Sequence, residues 1–185
     1  KAIDELRTLG FDIFLDLKLH DIPNTVSKSL ANICNLGVWM SNIHLLGGQE
    51  MIQEASATVK KSNSDMILVG VTILTSLNEN NLVELGFNSS AEEIAIKLAK
   101  LGKQNGVDGV VCSIEDISGI KASLGGDFLS ITPGVRMSQD NDDQKRSGSI
   151  YNAIQFGTDF VVVGREITQA KNPEGVLKKI ESLIV

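Results

Sequence analysis

The sequence predicts an α/β protein of the (β/α)8 TIM-barrel class, on three observations. Short apolar runs alternate with amphipathic helical segments along the chain, most of these runs are apolar at nearly every position, and polar residues collect just after them. Full apolarity reads as parallel strands covered on both faces, whereas antiparallel strands with one wet face would alternate. Polar residues at the C-terminal ends of several strands are where a barrel keeps its chemistry. Here they are Asp16 and Lys18, His44, Thr72 and Thr75, Ser113, Thr132 and Arg136, and Gly164 and Arg165.

Taken in order, the runs that predict strands are residues 11–17, 38–45, 66–73, 109–113, 128–132 and 160–164, bounded by Gly, Asn, Asp or Ser. Helical spacing predicts helices over residues 2–9, 25–35, 49–61, 91–105, 114–124 and 174–184. The competing arrangement is a doubly wound sheet, which would carry a glycine-rich phosphate loop after an early strand. Neither GxGxxG nor GxxxxGK[ST] occurs. Six βα units are two short of eight, and six parallel strands would leave open edges, so the expectation is one barrel domain over residues 1–185 with its leading units absent from this stretch.

Composition narrows the function. With 185 residues, 42% hydrophobic and 22% charged, the chain can bury one sizeable core. A net charge of −6 without a basic stripe argues against nucleic acid as partner. No run approaches the roughly 20 apolar residues of a membrane span, and Lys1–Arg7 is charged where a leader would be apolar. A cytoplasmic protein is expected. Cys34 and Cys112 each stand alone in apolar surroundings, without zinc-site or redox spacing, and read as buried small hydrophobes.

The densest polar cluster, Asp16-Leu17-Lys18-Leu19-His20-Asp21, falls at the end of the first strand. Strand alternation would point Asp16 and Lys18 to one side. Neighbouring carboxylates favour the ammonium form of a lysine, which suits a proton donor better than an amine nucleophile. On its own such a pair is more often a surface ion pair than a catalytic one. The second carboxylate at Asp21 and the Ile22-Pro23-Asn24-Thr25 lead into the next helix favour chemistry. His20 and His44 lack helical i, i+4 spacing and a carboxylate pattern, so they read as supporting residues and no metal site is expected.

The stretch from Phe14 to Val26, FLDLKLHDIPNTV, resembles the signature of orotidine 5′-monophosphate decarboxylases almost residue for residue. The resemblance continues through Gly37-Val38-Trp39-Met40, Val71-Thr72-Ile73-Leu74-Thr75-Ser76, Gly109-Val110-Val111-Cys112-Ser113, Thr132-Pro133-Gly134-Val135-Arg136 and Val163-Gly164-Arg165, in family order. It implies cofactor-free conversion of orotidine monophosphate to uridine monophosphate and CO₂. Lys18 would protonate C6, and Asp16 and Asp21 would form a charged array around it. Leu17, Leu19, His20, Ile22, Pro23, Asn24 and Thr25 would line the substrate site. The resemblance further implies a homodimer in which Asp21, Ile22 and Thr25 reach the neighbouring subunit's site. Thr25 would also serve as a plain helix N-cap.

By the same resemblance Gly164 and Arg165 would hold the phosphate. Gln144, in the polar loop of residues 138–146, would bridge phosphate and pyrimidine, Thr75 would sit against the pyrimidine, and Arg136 would lie on the phosphate side. The family also uses an aspartate of its first strand and a lysine of its second, which match no position here. Two alternatives remain. One is a related barrel decarboxylase for sugar phosphates, which works through a Mg²⁺-stabilised enediolate and needs a metal-binding acid on an adjacent strand, absent from Asn42-Ile43-His44-Leu45. The other is a non-catalytic barrel fragment serving as a scaffold.

Overall fold

A computed structural model describes residues 1–62, 64–137 and 148–184. They form two compact units, Lys1–Thr72 with Leu98–Val110 and Ile73–Lys97 with Val111–Val185.

The first unit opens with helix α1 (Ala2–Thr8) and strand β1 (Phe14–Leu19), then α2 (Pro23–Cys34), β2 (Met40–His44), a 3-10 turn at Leu45–Gly47, α3 (Gly48–Lys61) and β3 (Ile67–Val71). Each strand lies parallel to the next, β1 to β2 and β2 to β3. The amphipathic faces of α2 and α3 bury Val26, Leu30 and Ile33 against Met51, Ile52, Ala55 and Val59, and Ser27 Oγ meets Thr58 Oγ1 at 2.7 Å between the two helices. At roughly 25 cal/mol per Å² of apolar surface removed from water, burial of these side chains stabilises the two helices where they lie. Val107 follows the end of α5 (Ala91–Gln104), and Asp108 uses its own N–H and a carboxylate oxygen to hold the Leu68 backbone, with both bonds at 2.8 Å. This tie leads into β4 (Gly109–Val111).

The second unit contains α4 (Glu79–Glu84) and the first turns of α5. After β4 come a 3-10 turn at Ile114–Asp116, α6 (Ile117–Leu124), β5 (Leu129–Pro133), β6 (Val135–Arg136), β7 (Gly148–Ser149), α7 (Ile150–Gln155), β8 (Phe160–Val162), α8 (Arg165–Thr168) and α9 (Pro173–Ile184). Strand β5 pairs in parallel with β8, and β6 with β7. Ser90 and Glu93 cap α5 reciprocally, and Asn78 with Asn81 does the same for α4.

All six predicted strands form, with shifted ends, and the predicted helices form within about two residues of their expected bounds, except that the one expected over 114–124 opens as the 3-10 turn at Ile114–Asp116 and becomes α-helical only from Ile117. Burial departs from the expectation that most strands are covered on both faces. Met40–Ile43 of β2 and all of β4 are buried, whereas β1 and β8 are largely half-exposed or exposed. Each of these two pairs with a single strand in its own unit, so half of its backbone and much of its side-chain surface stay uncovered there. Cys112 is buried as expected, but Cys34, in the last turn of α2, is only half-buried. The short helices α4, α7 and α8 and the β6–β7 pair were not expected. Side-chain caps at Asn78 and Ser149 set α4 and α7, and all of these elements are too brief to leave a periodic pattern.

Candidate active site

Strand β1 does not run regularly through the polar cluster. Leu15 pairs with Ser41 and Leu19 with Ile43, so Asp16, Leu17 and Lys18 all lie opposite Asn42 and form a bulge. Lys18 takes a left-handed φ of +50°, where a non-glycine residue carries about 1 kcal/mol of strain. Simple alternation therefore does not bring Asp16 and Lys18 together, as the sequence suggested. The bulge does, because the turned backbone at Lys18 folds its side chain back on its neighbour. Lys18 Nζ donates to both Asp16 oxygens, each at 2.7 Å, with the two side chains about two-fifths exposed (41% and 42%). The next carboxylate, Asp21, is exposed and accepts the Ile22 N–H at 2.7 Å.

Thr25 is not the N-cap of α2. Ile22 holds that place and Pro23 occupies the first helical position, because proline's fixed φ and missing N–H suit the start of a helix. Asn24 and Thr25 are exposed in the first turn, and the Thr25 carbonyl accepts the Ser29 hydroxyl at 2.9 Å. Leu17 and Ile22 are exposed hydrophobics at 53% and 65%. Leu19 and Pro23 are half-buried.

His20 and His44 stack ring on ring, with centroids 5.1 Å apart and planes 23° apart, just beyond the ion pair. Burial, and then the nearby charge of His20 and Lys18, lower the His44 pKa below the usual imidazole value, and its buried Nδ1 has no hydrogen-bond partner among the described residues. A neutral ring follows. Gly47 follows closely, where a Cβ would overlap the Met51 sulfur, so the glycine lets α3 begin tight against this end of β2.

In the second unit Thr75 is half-buried just after β3 and Arg136 ends β6. Gly164 and Arg165 are exposed, with Gly164 as N-cap and Arg165 as first residue of α8. The neighbouring Glu166 accepts the Met137 N–H with both carboxylate oxygens, at 3.2 and 3.0 Å, which ties the chain after Arg136 to the start of α8. Gln144 lies outside the described residues. Two of these features had no reading in the sequence beyond their residue type. Asn42, fully buried, donates from Nδ2 to Asp16 Oδ1 at 2.6 Å and accepts the Lys18 N–H at 2.7 Å. An asparagine inside an apolar strand is a signal, because a buried amide must find partners. Glu166 carried none.

Parallel strand–helix units with a lysine–carboxylate pair at a strand's C-terminal end define an α/β protein whose chemistry sits at the strand ends. A family model described as Orotidine 5′-phosphate decarboxylase / HUMPS family matches residues 1–180, and the chain belongs to that family. The orotidine 5′-phosphate decarboxylase of Pseudoalteromonas translucida is 46% identical over 184 residues, covering 98% of this chain and 79% of the relative. That of Pasteurella multocida is 44% identical, covering 98% and 79%. Among solved structures, the orotidine 5′-phosphate decarboxylase of Lactobacillus acidophilus superposes with a TM-score of 0.86 at 34% identity, over 99% of this chain and 80% of that one. The fold is accordingly the barrel type of this family.

Proposed function

We propose that this chain is a carboxy-lyase that converts orotidine 5′-monophosphate to uridine 5′-monophosphate and CO₂ in pyrimidine biosynthesis, without a cofactor. The observation that carries the reading is the Lys18 ammonium, held against both Asp16 oxygens at the end of β1 while remaining exposed. Family membership and the names of the relatives support it.

The chemistry asks for such a group. When the bond from C6 to the carboxylate breaks, its electron pair stays on C6 as a carbanion that the ring delocalises poorly. A fixed ammonium beside C6 stabilises charge that exists mainly in the transition state, then passes a proton from Nζ to C6. Asp16, and Asp21 with it, would keep this ammonium charged and directed, and a carboxylate beside the substrate's own would add repulsion relieved as CO₂ leaves. Leu17, Leu19, His20, Ile22, Pro23, Asn24 and Thr25 would line the site. Thr75 would contact the pyrimidine, Gly164 and Arg165 the phosphate, Arg136 the phosphate side, and Gln144 would bridge the two ends. Arg165 suits phosphate because its planar fork binds two oxygens at once, and Gly164 leaves room for backbone approach. Arg165→Ala is therefore expected to weaken uridine monophosphate binding about tenfold or more. Unchanged affinity would remove the phosphate assignment.

One barrel domain, a cytoplasmic location and a homodimer belong to the same reading. Asp21, Ile22 and Thr25 would extend into the partner subunit's site, in keeping with the exposure of all three. The test is the decay of orotidine monophosphate absorbance on adding the purified protein with a chelator present. Chelator-resistant decay supports the reading. Decay abolished by chelator and restored by Mg²⁺ would overturn the cofactor-free mechanism, and no decay from protein that binds uridine monophosphate would sink the assignment.

A further inference from the structure

Three residues of β1 face one residue of β2, and regular ladder hydrogen bonds cannot serve three from one. The Asn42 side chain takes over the missing pairing. Its identity at each end is fixed by its partners: the Lys18 N–H can only donate, so the atom facing it at 2.7 Å is Oδ1, and a carboxylate can only accept, so the atom 2.6 Å from Asp16 Oδ1 is Nδ2. The same Asp16 Oδ1 receives Lys18 Nζ at 2.7 Å. One buried amide therefore grips both the backbone of the lysine and the carboxylate that holds its ammonium.

We propose that Asn42 is a positioning residue for Lys18, locking the left-handed bulge and the Asp16 carboxylate into one unit that aims the ammonium. The inference rests on the reading of Lys18 as proton donor. No other side chain supplies both functions at this depth. Leucine would fill the space but strand the Lys18 N–H, aspartate offers no donor and sets a like charge beside Asp16, serine is too short to reach both partners, and glutamine is a methylene too long. A residue retained for packing alone would need none of this polarity, and a buried amide that is not satisfied is costly.

The experiment uses the intact chain with orotidine monophosphate. Asn42→Ala is expected to lower kcat by about 30-fold or more with KM changed less than about threefold, because aim is lost while the phosphate contacts stay. Asn42→Asp supplies the second readout. Its carboxyl matches the amide only when protonated, with the carbonyl accepting from Lys18 N–H and the hydroxyl donating to Asp16. Its kcat, relative to that of the unaltered protein, should therefore rise as pH falls. The charged and titratable groups around that position are Asp16 and Lys18 from β1, His44 on the same strand and His20 stacked on it, while β3 presents Val69. Lys18→Ala is assayed alongside. Loss of turnover in Lys18→Ala with kcat within threefold in folded Asn42→Ala would overturn the positioning role and leave the donor intact. Turnover retained in Lys18→Ala would overturn the donor reading itself. Should Asn42→Ala fail to fold, an Asn42→Asp profile parallel to that of the unaltered protein overturns the proposal on its own.

Discussion

Lys18 meets Asp16 at 2.7 Å and Lys121 meets Asp159 at 2.6 Å, yet the two ion pairs are built for different ends. Lys121 is saturated. It donates to the carbonyls of Gly126 and Phe128, both at 2.9 Å, as well as to Asp159. Asp159 Oδ2 also accepts the Ser130 N–H at 2.6 Å and its hydroxyl at 2.9 Å, joining the start of β5 to the start of β8. Partial burial alone would raise the Asp159 pKa, but these bonds and the lysine charge hold it below the ordinary carboxylate value. The side chains are 15% and 30% exposed, against 41% and 42% for the first pair. The Lys18 ammonium has Asp16 as its only hydrogen-bond partner among the described residues, and the residue's backbone is strained. Equal distance thus conceals unequal roles. The closed pair at the N-terminal strand ends ties elements together, whereas the open pair at a C-terminal strand end keeps donor capacity for something that arrives.

The sharpest way to break this comparison is to remove each pair in turn. Lys18→Ala is expected to reduce kcat at least about 10³-fold. Because exposed pairs contribute only about 0–1 kcal/mol, its Tm should move less than about 4 °C. A large Tm loss with retained turnover would reverse the roles. Next in size, Lys18→Ala and Asp21→Ala chains, each inactive alone, should recover part of the activity when mixed, since one shared site in a heterodimer is intact. Mixed dimers without activity would argue against sharing.

Asp159→Ala should cost about 2 kcal/mol, seen as a Tm lower by about 4–8 °C, with kcat unchanged at temperatures where the protein is folded. An unchanged Tm would mean that the network at β5 and β8 is dispensable. The smallest effect separates the two regions by pH. Asp159 has a lowered pKa, so its contribution is full above the unfolded value of about 3.8 and is lost as pH falls through the folded value below it. His44, also lowered, makes the fold lose stability in a different window, as pH falls from about 6.5 through its own folded value. Being half-buried, it should contribute less than about 1 kcal/mol. In denaturant titrations His44→Gln should flatten the slope just below pH 6.5 and leave the acid limb alone. An unaltered slope would discount the buried ring.

The core of both units was legible because it rests on local pattern. Residues 66–73 are apolar in sequence and hold β3, and α3 and α5 follow helical spacing bounded by Gly48 and by the Ser90–Glu93 cap. Strand β1 was displaced, expected over 11–17 and found at Phe14–Leu19, because apolarity marks the residues that enter the strand while its charged end still pairs with β2. The Phe14–Val26 motif likewise named the candidate site in advance through Asp16, Lys18 and Asp21. It did not give their geometry.

By itself, then, the sequence determined the alternation of strands and helices, the family, and which residue types stand at the strand ends, since each is written within a few consecutive residues. Only the tertiary structure decided that Lys18 would turn left-handed, that Asn42, 24 residues away, would hold it and its carboxylate partner, and that Lys121 would close on Asp159 across 38 residues. Those contacts depend on the register between strands and on which polar groups burial leaves in need of a partner, and neither exists until distant segments pack.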